Sequence, residues 1–230
     1  MEQLFLNSAY IGVVLSLAAY FLGTVIKKKF RLAIFNPLLI AIVIVICVLL
    51  ACDIDYDAYN ESAQYLSWLL KPATVCLAIP LYQKLELLKK NFAAILAGIV
   101  AGVLTSLVSI LVFACIFGLS HAEYVTLLPK SITTAIGIGV AEELGGYEEI
   151  TAAVIIITGV LGNIIAEPIC RLFRIKDPIS KGLAIGTASH AVGTAKALEM
   201  GKTEGAMSSL SIVVSGICTV IAASFFAQLW

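Results

Sequence analysis

The stretch from Gly182 to Gly201, GLAIGTASHAVGTAKALEMG, gathers the side chains best able to do chemistry in an otherwise apolar chain. It holds His190, one of only two histidines, with Ser189 beside it and Thr187, Thr194 and Lys196 around it. On a helix, Thr187, His190 and Thr194 fall at i, i+3 and i+7 and share one face. Gly186 and Gly193 flank His190 on that side and admit another backbone or a ligand. A titratable residue among hydroxyls and glycines at membrane depth points to a functional site; the alternative is a small-residue packing seam around a hydrogen-bonded histidine. Imidazole changes charge near physiological pH, which suits His190 to anion binding or to carrying a coupling proton. A hydrolase would need a nucleophile paired with a base, yet Ser189 and His190 point about 100° apart on a helix. No HExxH, P-loop, GxGxxG or paired-acid motif is present, so catalysis is not expected.

A second unusual stretch, Leu127–Ala152, is apolar enough to enter a membrane but is interrupted by Pro129, Gly137, Gly139, Gly145 and Gly146. It carries Lys130, Ser131, Thr133 and Thr134, and glutamates crowd its far end. Irregular backbone is tolerated at membrane depth only where it is buried in protein or lines a cavity. The N-terminus of a half-helix presents uncapped N–H groups and partial positive charge. With the hydroxyls of Thr133, Thr134, Thr187 and Thr194 and a nearby lysine, such a site suits a small carboxylate or hydroxy acid. Glu167, before Pro168 and near Asn163, is the other intramembrane titratable group. It is read as a proton-coupling candidate or as an arginine-paired structural residue.

The chain around these stretches is 60% hydrophobic and only 13% charged over 230 residues, against roughly 25% charged in soluble domains. Its apolar runs are continuous rather than alternating, which excludes a β-barrel and predicts an all-α polytopic membrane protein. About six to eight membrane segments are expected, two or three of them broken or re-entrant. A net charge of zero gives no pull toward nucleic acid, and six scattered cysteines without a CxxC pair imply neither a metal site nor a disulfide framework. No cofactor is expected. The start, with Glu2 and no basic region, reads as a retained first helix from about Leu6 to Ile26.

Eleven of the fifteen basic residues fall in three clusters: Lys27, Lys28, Lys29 and Arg31; Lys84, Lys89 and Lys90; and Arg171, Arg174, Lys176 and Lys181. Placing all three inside puts the N-terminus outside. Spans then follow at Pro37–Ala51, Phe92–Phe117, Ile150–Cys170 and Met207–Trp230, with an acidic external loop, CDIDYDAYNE, after the second span. The charge count makes Leu127–Gly146 a re-entrant hairpin, with a full crossing as the competing solution, and makes the His190 stretch a second broken segment entered from the cytoplasm. Lys71-Pro72 and Pro129-Lys130 each introduce a broken element, and weak similarity between those elements suggests an internal, inverted repeat.

PATVCLAIPLY (Pro72–Tyr82), LPKSITT with EELGGYEEITA (Leu128–Ala152), TGVLG (Thr158–Gly162) and GLAIGTASHAVGTAKALE (Gly182–Glu199) resemble the motifs of the LrgB/CidB family. The likeness runs over nearly the whole chain, as one integral membrane domain over residues 1–230. It implies a bacterial cytoplasmic-membrane protein described as antiholin-like, a modulator of murein hydrolase export and autolysis, acting with a smaller LrgA/CidA-type membrane partner. Related systems are linked to pyruvate uptake, and a plastid relative is a glycolate/glycerate carrier. The expected partners are therefore the lipid bilayer, the LrgA/CidA-like protein and a small carboxylate anion, with self-association left open. Thr133, Thr134, His190 and Thr194 carry over from the family motifs. Ala135 stands where the family often has proline, and Glu167 where it often has glycine.

Overall fold

The structure, a computed structural model, describes residues 10–30, 35–69, 72, 75–76 and 78–230. Expected features at Glu2, Leu6, Arg31, Lys71 and Thr74 lie outside the described residues, as does part of the start of the first copy of the suggested repeat. All regular elements among the described residues are helices. Four are long and apolar enough to cross a membrane, and Pro37–Ala51 is a shorter apolar helix. This is the all-α polytopic architecture that the apolar runs predict. The chain divides into two compact units, Met1–Cys76 and Leu77–Trp230.

The first unit contains α1 (Ile11–Phe30), α2 (Pro37–Ala51) and α3 (Tyr56–Trp68). Asn36 caps α2, its side chain accepting from the Leu38 amide at 2.8 Å, with Pro37 at the first helical position. The acidic stretch expected as a loop instead starts a helix. Asp55 accepts from the Asp57 amide at 2.9 Å and so caps α3. Gly12 of α1 donates its amide to Ser62 Oγ at 3.1 Å, and Ser16 and Tyr59 share a hydrogen bond of 2.7 Å. These polar contacts join α1 to α3 beside an apolar cluster in which Ile11 and Leu15 pack with Ile54 and Ala58.

The second unit is built from α4 (Ala78–Gln83), α5 (Leu85–Lys90), α6 (Phe92–Phe117), α7 (His121–Leu127), α8 (Thr134–Glu143), α9 (Glu148–Leu172), α10 (Pro178–Met200) and α11 (Lys202–Phe226). Along α6, Ile95, Ile99, Val103, Leu107, Ile110 and Ala114 repeat every three or four residues and form its buried stripe. The stripe packs with Tyr124, Val125, Leu128, Met207 and Ala223 in the unit's main core. Gly118, at φ 62°, ends α6 in the left-handed conformation, and the Leu119 amide returns to Ala114 O.

The ends of the long helices sort into two groups. At one end, Trp230 donates its indole N–H to Leu119 O at 2.7 Å, and His121, the first residue of α7, holds Trp230 O at 2.6 Å. At the other, Arg171, Lys181, Met200 and Glu204 surround one cavity. The helices α6, α9 and α11 run between these ends.

Two hairpins fill the space between them. The first, Leu127–Gly146, begins where α7 has led in from the Trp230 end, turns at residues 128–133 and returns through α8. Its two bases meet: the Tyr147 amide donates to Thr126 Oγ1 at 2.8 Å, and Thr151 Oγ1 donates to Thr126 O at 3.0 Å. Its tip reaches the middle of α6, where Ser131 and Ser106 hydroxyls lie 3.4 Å apart. Leu127–Gly146 thus goes in and comes back, the first of the two topologies that the charge count allows.

The second hairpin is α10 itself, split at Ser189 and His190, whose φ/ψ angles are not helical. Its legs, 178–188 and 191–200, return to the same first turn of α11. Gly182 lies against Glu204 and Met207, and Gly205 lies against Leu198. In a straight helix Gly182 and Leu198 would be about 24 Å apart. Its first leg follows α6, with Leu183 on Gly98 and Thr187 on Gly102. The GxxxG spacing of α6 is therefore a seat for the second hairpin. Both tips arrive one turn apart at the middle of α6.

Candidate functional site

The break in α10 divides the residues that one continuous face would have gathered. Thr187 ends the first leg toward α6, His190 forms the tip against α9, and Thr194 begins the second leg against α11. His190 is 3% exposed and its Nε2 lies 3.0 Å from Ile155 O. Its φ of 42° is a left-handed value that side chains with a Cβ seldom adopt. Strain of this kind costs of order 1–3 kcal/mol and persists only where packing over-determines it.

The packing is supplied by glycines of α9. A Cβ at Gly159 would sit 2.6 Å from His190 Cε1, and one at Gly162 would overlap the Ser189 hydroxyl. Asn163 donates to Val192 O at 2.8 Å, holding the start of the second leg. Thr194 donates its hydroxyl to His190 O at 2.9 Å or shares it with Ser208 Oγ at 2.7 Å. Ile155 joins the two hairpins, since its carbonyl meets His190 while its side chain fills the space that a Cβ at Gly137 of α8 would need.

The other cluster opens onto a cavity of about 680 Å³ running along α6, between α6 and the first leg of α10. Lys130 and Ser131, from the tip of the first hairpin, line it together with Thr187. Lys130 Nζ donates to Ser131 Oγ at 3.0 Å and has no carboxylate within salt-bridge reach among the described residues. Thr187 is 7% exposed, and its Oγ1 is the single buried side-chain polar atom without a hydrogen-bond partner among the described residues. Thr105 and Ser109 of the α6 wall donate their hydroxyls to carbonyls one turn back, at 2.7 and 2.6 Å. They can therefore accept but not donate into the cavity. Donor capacity toward the cavity comes from Lys130 and from whichever of the Ser106 and Ser131 hydroxyls does not donate in their shared bond, with the unpartnered Thr187 hydroxyl buried beside them, an arrangement that stabilises a negative charge.

Residues 16–229 match the model of the LrgB-like family. The chain belongs to that family. The antiholin-like protein LrgB of Bacillus subtilis (strain 168) is 39% identical over 223 residues, 96% of each chain. Those of Bacillus mycoides (strain KBAB4) and Bacillus cereus (strain B4264) are 38% identical over 218 residues, 94% of this chain and 95% of theirs. No solved structure matches.

Within this LrgB-like chain, the expected site residues separate into three places. Lys130 and Thr187 share the cavity. Thr133 and Thr134 start α8, with Thr133 as its N-cap residue and no side-chain capping bond. Ser189, His190 and Thr194 form the buried knot at the second tip. Lys196 lies apart from both, 3.5 Å from Glu167 and 3.4 Å from Glu199. Glu167 also accepts from Arg171 at 3.0 Å, so it sits between two cations near the arginine end of α9. Among the described residues no group of acidic, histidine or cysteine side chains is arranged to hold a metal.

Sequence reasoning passed over Ile155 and Ser208, and met Gly159 and Gly162 only inside the TGVLG motif and Asn163 only as a neighbour of Glu167, without giving any of the three a place in the site. A signal for three of them was present: Gly159, Gly162 and Asn163 are small or polar residues spaced three and four apart in an apolar run, the pattern that lets another backbone approach a membrane helix.

Proposed function

We propose that the protein is a secondary carrier of a small monocarboxylate of the pyruvate or glycolate type, not an enzyme, and that it works with an LrgA-like membrane subunit. The observation that carries this reading is the cavity in which an unpaired lysine and an unpartnered threonine hydroxyl are held by two different hairpins. One cation with neutral hydroxyls around it suits one carboxylate better than two. Two interrupted elements meeting at mid-helix, from opposite ends of the bundle, also fit the placement of substrate sites in transporters. In this reading Lys130, Thr187 and the α8 start at Thr133 and Thr134 bind the anion. Ser189, His190 and Thr194 form the joint whose opening lets the second hairpin move, with His190 positioned to carry a coupling proton. Glu167 and Lys196 act as an ion pair at that hairpin's base. The site lies in a multi-pass protein of the bacterial cytoplasmic membrane, with the basic clusters inside and the N-terminus outside.

The name of the relatives favours a second reading, regulation of murein hydrolase activity through protein contacts without solute flux. Uptake of labelled pyruvate and glycolate into proteoliposomes separates the two. It should be measured with and without a pH gradient, with and without the LrgA-like partner, and with His190→Ala as control. Saturable uptake that His190→Ala abolishes supports the carrier. Folded protein that moves neither solute under any of these conditions moves the assignment to regulation.

A further inference from the structure

We propose that the arginine end of the second unit holds a phosphate-binding site, filled by the headgroup of an anionic phospholipid or by soluble phosphate. This site is separate from the Lys130 cavity and does not rest on the transport reading. A cavity of about 440 Å³ is lined there by Arg171, Arg174, Lys176 and Lys181 together with Glu167 and Glu204. Four cations face two carboxylates, leaving an excess of two positive charges. One of those carboxylates is already engaged, since Glu167 accepts from Arg171 and pairs with Lys196. Arg174, Lys176 and Lys181 have no carboxylate within salt-bridge distance among the described residues.

The backbone supplies the second argument. Arg174 adopts φ 55°, the left-handed residue that ends α9, with the Ile175 amide donating to Cys170 O at 2.8 Å. Glycine is the usual occupant of that position because a Cβ is strained there. An arginine at this cap has its Cα fixed by the helix end, so its guanidinium starts from a rigid point instead of from a loose loop. Planar guanidinium groups recognise phosphate through paired N–H donors. Cys170, Ile175 and Met200 give the same cavity an apolar wall, which suits the glycerol and upper acyl region of a lipid more than a freely hydrated ion. Basic pockets between helices at the cytoplasmic edge of a membrane bind anionic headgroups on this principle.

Arg174→Gly is the informative variant because it removes the charge while relieving the backbone. Lys181→Gln removes a second cation without touching the cap. The full-length protein and both variants would be placed in nanodiscs of phosphatidylglycerol mixed with phosphatidylcholine, and the lipid retained after extraction measured by native mass spectrometry. In parallel, the melting temperature in neutral detergent would be read with inorganic phosphate against chloride of equal ionic strength. Retention of phosphatidylglycerol over phosphatidylcholine that drops several-fold in both variants assigns the site to a lipid headgroup. A phosphate-specific rise in melting temperature that both variants lose, without lipid preference, assigns it to soluble phosphate. The proposal is overturned by no lipid preference together with no phosphate effect, or by variants that behave as the parent does.

Discussion

The two hairpins reach the same level of α6 but are fastened at opposite ends. The first is tied at its base, where Thr126 receives the Tyr147 amide and the Thr151 hydroxyl, and its tip offers Lys130 and Ser131 to an open cavity. The second is tied at its tip, where His190, Asn163 and Thr194 bond to α9, to the hairpin itself and to α11, while its base packs on the start of α11 and adds only part-exposed ion pairs of Lys196. Exposed pairs contribute little; buried hydrogen bonds are costly to leave unmade. The difference separates binding from movement. The first hairpin can present a charge without loosening, whereas the second can shift only by breaking its buried knot. In the proposed carrier, a carboxylate in the cavity would touch the first tip through Lys130 and the second hairpin through Thr187, both of which line it.

The largest effect is expected at the first tip. Lys130→Gln should lower carboxylate uptake at least tenfold, equivalent to about 1.4 kcal/mol of lost stabilisation, while the protein melts as the parent does in detergent. Unchanged uptake would remove the anion from this tip. At the second tip the expectation is different in kind. His190→Gly accepts φ 42° without strain and should fold at least as well as His190→Ala, yet both should lose transport. Restored uptake in the glycine variant alone would show that backbone shape, not the imidazole, is what the tip requires.

Next come changes to the fastenings. Gly162→Ala drives a methyl group into Ser189, and overpacking of this kind costs typically about 1–3 kcal/mol. It should lower both thermal stability and uptake, because it disturbs the knot that opens and closes in the proposed carrier. Thr126→Val leaves the Tyr147 amide and removes its acceptor, a loss of about 1–2 kcal/mol for a part-buried group. Melting temperature should fall while uptake by the remaining folded protein stays near the parent's. Equal damage to uptake from both variants would erase the distinction between a fixed base and a moving tip.

Much of this contrast is legible in the amino-acid order alone. The Pro and Gly interruptions and the three basic clusters already require irregular segments, and Phe92–Phe117 is the helix read from its apolar run. The separation of Thr187, His190 and Thr194 onto different neighbours is not legible there. Helical periodicity assumes an unbroken helix, and neither Ser189 nor His190 is a residue type that announces a break. The break is imposed from outside, by the room at Gly159 and Gly162 on a helix about 30 residues earlier in sequence. The same limit explains Lys196, whose position beside hydroxyls in sequence says nothing of Glu167, a partner on a different helix. The acidic stretch near Asp55 misleads for a local reason: a carboxylate that looks like loop composition is also a helix N-cap.

The smallest effects belong to the first turns of α7, which leads into the first hairpin, and of α10, and these turns are built alike in chemistry and reversed in order. At the first, Ser120 caps α7 and Glu123 returns to it, the Ser120 hydroxyl donating to Glu123 Oε2 at 2.7 Å. At the second, Asp177 caps α10 and accepts the Ser180 amide and hydroxyl, each at 2.8 Å. These serine hydrogen bonds hold both carboxyls below the usual carboxylate range, the Ser180 amide being the largest cause for Asp177 and the Ser120 hydroxyl for Glu123. A depressed carboxyl stabilises the fold above its unfolded pKa, and that contribution is lost as pH falls through the folded value. For Asp177 the loss therefore begins below about 3.9, the ordinary aspartate value. Asparagine is an equally good N-cap, so Asp177→Asn should match the parent near neutrality and lose less stability on acidification. Asp177→Ala should cost about 1 kcal/mol at neutral pH, and Glu123→Gln should flatten the acid response while the Ser120 cap to α7 remains. Melting curves in detergent from neutral to acid pH check all three. Neither Asp177 nor Glu123 lines the cavity of Lys130, although Ser180 borders it, and neither touches the His190 knot. Uptake per folded molecule at neutral pH should therefore not move in any of them; a loss there would mean that the first turns themselves shift during transport.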